Sequence, residues 1–401
     1  MKTLVVNAGS SSLRYQLLDV ETREVEQSGR CEKIGGDGSF ISLIAGEQYK
    51  KLVLPIPNHE KAVELVLKEL QDHEVGVISS LKEIDAVGHR IVHGGKYFDG
   101  PALVDGEVLN KIRECAEIAP LHNMDAIKGI EACMHQMPGI PQVVSFDTAF
   151  HMTIPAVNHM YALPYKYYEK YGLRKYGFHG MSHKYVSRRA AEMMGANVED
   201  LKIITCHMGN GGSVTAVRYG ESYDTSMGLT PLDGIIMGTR CGSIDPSVVT
   251  FLMEHENLTP AEMTSILNKE SGLLGISGVS NDLRDIDVAI GWGNERAKLA
   301  FEMYAQSIRR YIGQYLIEMV GADAVVMTAG IGENSPAVRA KVFDGLEPLG
   351  FKIDRDRNEF GKPDCLISSD DSLVPIFAIH TNEEYLIALD AKEICEKYGL
   401  A

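Results

Sequence analysis

Short apolar runs alternate along the chain with segments in which apolar residues recur every three or four positions. Runs of the first kind predict buried β-strands, and the second pattern predicts amphipathic helices. The predicted strands are Leu4–Val6, Ala86–Val92, Gln142–Phe146, Lys202–Cys206 and Ala324–Thr328. The predicted helices are Glu60–Gln71, Glu107–Glu117, Met124–His135, Ser182–Met194, Pro246–His255, Pro260–Asn268, Glu295–Val320 and Glu383–Tyr398. Strands separated by helices in this way indicate an α/β fold.

Two helix starts are marked by a capping residue followed directly by proline, at Asp245-Pro246 and at Ser335-Pro336. A capping side chain accepts a hydrogen bond from a backbone N–H in the first turn of a helix. Proline is tolerated at the first helical position because the N–H that it lacks would have no partner within the helix. We therefore expect helices to begin at Pro246 and at Pro336.

The two halves of the chain contain a similar stretch, LVVNAGSSSLRYQLL from Leu4 and ITCHMGNGGSVTAV from Ile204. Each reads as a strand, a polar turn with glycine, and a second strand. Aligned at Gly9 and Gly209, the stretches lie 200 residues apart in a chain of 401. That length exceeds one ordinary core, so we expect two similar, closely packed domains, with a chance match between two hairpins as the alternative.

Composition limits the kind of protein this is. The formal net charge of −16 argues against a nucleic-acid partner or an anionic membrane surface. The seven cysteines are scattered, without a C-x-x-C pair, which is typical of free thiols in a reducing compartment rather than of disulfides or a zinc site. No uncharged apolar stretch approaches ~18 residues, so no membrane span is expected.

The glycine-containing turns have two interpretations. They are plain hairpins, or their N–H groups cradle phosphate oxygens, with Ser10 and Ser12 as added donors and Asn7 as an oxygen ligand for a metal. No Walker A loop is present. A third glycine-rich turn is predicted at Thr328–Pro336, after a strand and opening a helix, where free amides favour anions. The three turns together favour a phosphate site.

Two arginines lie in apolar, glycine-rich surroundings, Arg90 in VGHRIVHGG and Arg240 in IMGTRCGSIDP. A guanidinium group binds carboxylate or phosphate with two parallel hydrogen bonds. The alternative is a structural salt bridge for each. In an acidic chain with candidate phosphate turns, the pair favours a pocket for an anionic substrate.

Carboxylates and histidines complete the set of candidates. Asp147 ends a predicted strand, where catalytic or Mg²⁺-linked acids are often found, with a turn or capping role as the alternative. Glu383 starts a predicted helix, where a carboxylate is favoured in any case. His179 and His183 have i, i+4 spacing, but we expect Gly180 to break the helix between them. His179 is therefore interpreted as a donor beside a phosphoryl group rather than as a zinc ligand.

Ten stretches occur in a fixed order along nearly the whole chain: VVNAGSSSLRYQ, GHRIVHGG, PLHN, FDTAFH, YGFHGMSH, HMGNGGS, MGTRCGSIDP, NDLRDI, TAGIGEN and TNEE. Together they resemble the motif series of bacterial and archaeal acetate kinases, a family of the sugar kinase/Hsp70/actin superfamily. The resemblance implies two similar α/β domains of the actin-like ATPase (ribonuclease H-like) type, with ATP in the interdomain cleft. The expected domains are residues 1–150, with a C-terminal helix of about 385–401 packing back on them, and residues 151–384.

The same resemblance implies roles for single residues. The expected catalytic residues are Arg90, Asp147, His179 and Arg240. The substrate carboxylate and methyl group would meet Arg90, Val92, Leu121, His122, Phe178 and Pro231. ATP would contact Ser10, Ser12, Arg14, His207, Met208, Gly209, Asn210, Gly211, Asp282, Leu283, Arg284, Gly330, Ile331, Gly332, Glu333 and Asn334. Mg²⁺, or Mn²⁺ in its place, would be held at Asn7 and Glu383. Position 14 is commonly lysine in the family, so Arg14 keeps the charge but not the geometry.

The implied reaction is reversible transfer of a phosphoryl group from ATP to acetate, giving acetyl phosphate and ADP, in a cytoplasmic homodimer. Acetate is already ionised at pH 7, since the pKa of a carboxyl group is roughly 4–5. The nucleophile needs no general base, and we interpret Asp147 as a positioning residue, with proton transfer as the alternative. A propionate kinase of the same family and a non-catalytic nucleotide-binding module are the alternative functions.

Overall fold

The computed structural model describes residues 1–116 and 123–400. Its strands are β1 (Lys2–Ala8), β2 (Ser12–Asp19), β3 (Val25–Glu32), β4 (Phe40–Ala45), β5 (Gln48–Val53), β6 (Ala86–Ile91), β7 (Ala102–Leu103), β8 (Gln142–Phe146), β9 (Lys202–Met208), β10 (Gly212–Arg218), β11 (Glu221–Thr225), β12 (Ala324–Thr328), β13 (Cys365–Leu366) and β14 (Ile376–Ala378).

Its helices are α1 (His59–Leu70), α2 (Gly106–Cys115), α3 (Asn123–Gln136), α4 (Ala156–His159), α5 (Lys166–Tyr171), α6 (Gly180–Met194), α7 (Pro246–His255), α8 (Pro260–Ser265), α9 (Gly272–Ser277), α10 (Leu283–Gly291), α11 (Glu295–Glu318), α12 (Ala329–Asn334), α13 (Pro336–Phe343), α14 (Arg355–Phe360) and α15 (Glu383–Tyr398). The predicted helix starts at Pro246 and Pro336 are confirmed, with Asp245 and Ser335 as the capping side chains.

The chain divides into two compact units, residues 1–150 with 382–401, and residues 151–381. Unit 1 contains a sheet in the order β5-β4-β3-β2-β1-β6-β8-β7. The strands β1, β6 and β8 are parallel to one another, whereas β1 to β5 form an antiparallel meander. An α/β architecture is therefore confirmed for this half.

Alternation along β1 gives the unit 1 sheet two different faces. Leu4 and Val6 belong to an apolar core that also holds residues of α1 and α3. On the other face α15 packs against β1, β6 and β8. The approach is so close that a Cβ at Gly88 would lie 2.5 Å from Cγ2 of Ile387, and only glycine fits there. The side chain of Asn7 is on this second face.

Unit 2 repeats the topology of unit 1. Its sheet has the order β11-β10-β9-β12-β14-β13, in which β9, β12 and β14 are parallel and the other neighbours antiparallel. The order and directions match those of β3-β2-β1-β6-β8-β7. The repeat predicted from Gly9 and Gly209 is confirmed, because the glycine turns join β1 to β2 in one unit and β9 to β10 in the other.

The sheet of unit 2 also has one apolar and one polar face. Ile204, Cys206 and Met208 point into a core shared with α11. The intervening residues Thr205 and His207 face the side on which α6 packs. The Thr205 hydroxyl is therefore buried and the His207 imidazole half-buried beneath α6, where each needs a hydrogen-bond partner.

Candidate active site

The first glycine turn is a hairpin held from outside by a histidine. The N–H of Gly9 donates to the carbonyl of Ser12 at 2.8 Å, which closes the turn. The carbonyl of Gly9 accepts a hydrogen bond of 2.7 Å from Nε2 of His59, a buried residue at the start of α1. Ser10 and Ser12 are thus carried on a turn whose backbone is fixed at both ends.

Arg90 forms a two-pronged ion pair with Asp147. The Nε and Nη2 groups of Arg90 donate to Oδ1 and Oδ2 of Asp147 at 2.9 and 2.7 Å. The Asp147 side chain is 3% exposed and that of Arg90 is 22% exposed. Both carboxylate oxygens are committed to the guanidinium group, which leaves the Nη1 side of Arg90 for another anion. This geometry supports a positioning role for Asp147.

Glu383 approaches the same arginine, with 3.9 Å between its Oε2 and Nε of Arg90. The pKa of Glu383 is raised to about 7, mainly by burial; Arg90 opposes this rise, and the charges of Asp147 and Glu384 add to it. Three carboxylates thus surround one guanidinium group. The excess negative charge suits a bound cation.

The predicted metal ligands Asn7 and Glu383 provide oxygen atoms, the donors that Mg²⁺ prefers. Mg²⁺ in phosphoryl-transfer sites is usually held by one or two protein oxygens together with water and phosphate. Within residues 1–116 and 123–400 no group of three or more His, Cys, Asp or Glu side chains could hold a metal. An amide oxygen and a carboxylate oxygen are hard donors, which suit Mg²⁺ better than zinc.

His179 is the residue before α6 and has a left-handed backbone, with φ of 57°. The expectation that Gly180 breaks a helix is wrong, because Gly180 is the first residue of α6. A left-handed non-glycine residue is uncommon and is often found at functional sites. The turn directs His179 away from the helix axis, toward β10, where its Nδ1 lies 2.8 Å from Oγ of Ser213.

A buried chain of hydrogen bonds continues from Ser213. Its Oγ is also 2.8 Å from Nε2 of His183, and Nδ1 of His183 is 2.7 Å from Oγ1 of Thr205. Burial lowers the pKa of His183 well below its ordinary value, and the nearby His151 and His207 lower it further, so the ring is neutral at pH 7. A neutral ring carries one N–H, and Ser213 has one hydroxyl hydrogen. The chain therefore couples the tautomer of His179 to that of His183.

His207 lies beside His179, with the two rings stacked at 4.0 Å between centroids. Its Nδ1 is 2.8 Å from Oγ of Ser182, and this hydroxyl is 2.7 Å from Oγ1 of Thr381. The stacking fixes the plane of both imidazole rings. Two predicted site residues that are 28 positions apart in sequence are thus brought together.

Arg240 reaches the same place from a loop. A Cβ at Gly211 would lie 3.2 Å from Nη1 of Arg240 and 3.9 Å from Nε2 of His179, so the guanidinium and the imidazole group both lie against the second glycine turn. Nη1 of Arg240 donates to the carbonyl of Pro231 at 3.2 Å. No carboxylate in the described part of the chain forms an ion pair with Arg240, and burial lowers its pKa. A half-buried arginine without a counter-ion is a candidate anion ligand.

The remaining residues predicted to contact the nucleotide differ in how accessible their side chains are. The side chain of Met208 is fully buried in the core, so only its backbone is available to a ligand. Asn210 is tied to the segment before α10 by a hydrogen bond of 3.0 Å from Nδ2 of Asn281 to its Oδ1. Asp282 caps α10, and its Oδ2 is 2.5 Å from Nη2 of Arg284, whose side chain is 90% exposed.

Residues 329–334 form helix α12, so the expected third glycine turn is wrong. Gly330, Ile331, Gly332, Glu333 and Asn334 all belong to this helix. The Glu333 side chain is 8% exposed and accepts hydrogen bonds from the N–H of Thr381 and from Nδ1 of His380, at 3.1 and 2.7 Å. Glu333 therefore holds the last residues of unit 2.

The residues expected around the substrate methyl group are divided between the units. Val92 follows β6 directly after Ile91 in unit 1. Phe178 is buried in unit 2, and its carbonyl is bound to Nε2 of His151 at 2.9 Å. Leu121 and His122 lie outside the described residues.

Ser213, Thr205 and His59 were not singled out from the sequence. Ser213 follows the glycines of the second turn, but Ser12 aligns with Gly212 when the repeats are matched at Gly9 and Gly209, so the repeat offered no signal for Ser213. Thr205 could have been found from the alternation of polar and apolar residues along β9. His59 carries no local signal, because its contact with Gly9 is made over 50 residues of sequence.

A sequence model of the acetokinase family matches residues 2–389. The chain is 53% identical over 396 residues to an acetate kinase of Caldanaerobacter subterraneus subsp. tengcongensis, over 98% of this chain and 99% of that protein. A crystal structure of Porphyromonas gingivalis acetate kinase matches with a TM-score of 0.94 and 46% identity, and a propionate kinase from Francisella tularensis with 0.92 and 40%. Both structures match over 98% of this chain and 99% of their own.

Proposed function

The chain belongs to the acetokinase family, and from that membership we propose that it transfers the terminal phosphoryl group of ATP reversibly to acetate. The products are acetyl phosphate and ADP. The observation that carries this proposal is the pair of Arg240 and His179 against the glycine turn at Gly211, with Arg240 lacking a carboxylate partner in the described residues. Such a pair suits the charge that develops on a transferring phosphoryl group.

Arg90 holds the acetate carboxylate in this mechanism. Its Nε and one N–H of Nη2 are used by Asp147, which leaves its remaining N–H groups for the substrate carboxylate. Asp147 fixes the guanidinium plane and takes no proton, because acetate is ionised at neutral pH. The carboxylate oxygen attacks the γ-phosphorus in line, and the bond from phosphorus to the bridging oxygen of ADP breaks.

Arg240 and His179 stabilise the phosphoryl oxygens during this transfer, and the backbone at Gly209–Gly211 holds the phosphate chain. The chain through Ser213 and His183 allows His179 to donate from Nε2 when Nδ1 accepts the hydroxyl hydrogen of Ser213. Asn7 and Glu383 would hold Mg²⁺. When bound, this ion would neutralise negative charge on the phosphate chain.

We also propose that the protein is a cytoplasmic homodimer. Helix α7 carries the apolar residues Val248, Val249, Phe251, Leu252 and Met253, yet none of its residues is buried. An apolar helix without a covering partner favours self-association. All seven cysteines are free, as expected in a reducing compartment. No helix in the described ranges is long and apolar enough to span a membrane.

The test is acyl phosphate formation, trapped as the hydroxamate, with ATP, Mg²⁺ and acetate, propionate or butyrate. We expect acetate to be the best substrate and propionate a poorer one, since one methylene changes binding in such a pocket by only about 1–3 kcal/mol. The similarity to a propionate kinase makes preference for propionate the second candidate. ATP binding without any acyl phosphate would instead indicate a non-catalytic nucleotide-binding module.

A further inference from the structure

The unit 1 sheet carries a row of polar side chains that leads away from Asn7. In the strand register Asn7 lies opposite Arg14, Arg14 opposite Arg30, and Arg30 opposite Ser42. Directly paired residues of neighbouring strands place their side chains on the same face of a sheet. The four side chains therefore form one row across β1, β2, β3 and β4, on the face where α15 packs farther along.

Two arginines are direct neighbours in this row, although like charges placed opposite one another destabilise a sheet. Arg14 is exposed and forms no ion pair with any carboxylate in the described residues. Arg30 has Glu32 at 3.9 Å, and its side chain is 54% exposed. The pair is therefore poorly neutralised by the protein itself, in a chain whose net charge is −16. An anion lying between the two guanidinium groups would remove the repulsion.

A cavity of about 380 Å³ lies over this pair, entirely within unit 1. Side chains that can donate hydrogen bonds line most of it, including Asn7, Arg14, Gln16, Ser28, Arg30 and Ser42. Glu384 is the one carboxylate among the described residues that line the cavity. The lining is thus rich in donors and poor in negative charge, which is the chemistry of an anion site.

We propose that Arg14 and Arg30 together bind the phosphate chain of a polyphosphate anion, either inorganic or part of a nucleotide. The Cβ atoms of two directly paired residues lie about 5 Å apart. Two guanidinium groups on such neighbouring positions suit an anion with adjacent phosphate groups better than they suit a single carboxylate. The inference rests on the proposed function and on the expectation from the sequence that ATP contacts Arg14. It adds Arg30, from the neighbouring strand, as a second ligand.

The test measures binding of inorganic tripolyphosphate to the full chain by calorimetry, without acetate or turnover. Arg30→Gln removes one charged donor and should weaken binding about 10-fold or more. Arg30→Lys keeps the charge but loses the two-pronged guanidinium geometry, so its affinity for tripolyphosphate should lie between those of the wild type and Arg30→Gln. Arg113→Gln is the matched control, since Arg113 is an exposed unit 1 arginine that pairs with Glu131 outside this cavity, and it should bind as the wild type does.

Equal affinities of the wild type and Arg30→Gln would overturn the proposal, as would an equal loss in Arg113→Gln. The KM for ATP distinguishes the two sources of the anion. A higher KM for ATP in Arg30→Gln supports a site shared with the nucleotide phosphates. Weaker tripolyphosphate binding with an unchanged KM for ATP supports an inorganic ligand. Wild-type acyl phosphate formation is measured separately, so failure of the proposed function would be seen without affecting the binding result.

Discussion

Arg90 and Asp147 should behave as one unit when they are substituted singly and together. Asp147→Asn keeps the shape of the side chain but replaces one acceptor oxygen by an amide that faces the N–H groups of Arg90. The two hydrogen bonds of 2.9 and 2.7 Å are charge-assisted and shielded from solvent, with Asp147 3% exposed. Removing one partner of such a buried pair costs about 3–5 kcal/mol, because the other charge is left uncompensated.

Loss of the Arg90–Asp147 ion pair should lower catalytic activity, because Asp147 orients the guanidinium group with which Arg90 binds acetate. We expect Arg90→Ala and Asp147→Ala each to lower kcat/KM for acetate by about 10²–10³. The double variant should lose little more than either single variant. The expected coupling is about 3 kcal/mol, measured as the deviation from additivity in a double-mutant cycle. The assay is hydroxamate-trapped acyl phosphate at saturating ATP.

Additive losses in the cycle would refute this reasoning, since they would mean that Asp147 acts independently of Arg90. The pH profile gives a second readout. Asp147→Asn also removes a charge that raises the pKa of Glu383, so if Asp147 only positions Arg90, the activity step near pH 7 should move to lower pH but persist. Disappearance of an activity step would instead indicate proton transfer by Asp147. Thermal unfolding of each variant controls for general destabilisation.

Three further predictions concern other parts of the structure. Ser213→Ala breaks the link between His179 and His183 and should lower kcat more than it raises KM, by about 10-fold, with a shifted pH profile; an unchanged profile would contradict the link. Burial lowers the pKa of both His89 and His151 to about 4, so the unfolded chain binds protons there first and the free energy of unfolding should fall from pH 6.5 toward pH 4. The fall should reach about 3 kcal/mol per histidine in denaturant titrations, and equal stability at pH 7 and pH 5 would exclude it. Phe251→Asp should convert the proposed dimer to monomer in light scattering, whereas an unchanged mass would place the interface elsewhere.

Much of the fold was predictable because the decisive signals are local. Capping residues and proline marked the start of α7, and the apolar runs at β8 and β12 matched the observed strands residue for residue. The duplicated topology was also visible, because each unit contains the same strand–turn–strand pattern. The α12 segment was misjudged because its glycines favour turns, whereas the segment is helical and Gly332 lies so close to the backbone of Met327 that a Cβ would be 3.0 Å from its carbonyl carbon.

The site was less predictable where it depends on register and on long-range contacts. Arg30 lies beside Arg14 only through the pairing of β2 with β3, and no local motif marks that register. The spacing of His179 and His183 could not show what His183 does, because its partners Ser213 and Thr205 come from two strands distant in sequence. Sequence motifs thus identified the residue types, and the tertiary structure decided which of them act as partners.

The central claim is that fixed cationic groups let a small carboxylate attack the terminal phosphate of a polyanion. The most direct test is the turnover of Arg240→Ala at saturating ATP, Mg²⁺ and acetate, beside the wild type. We predict acyl phosphate formation by the wild type and a loss of about 10²–10³ in kcat for the variant. Wild-type turnover in Arg240→Ala, or no acyl phosphate from the wild type, would contradict the account.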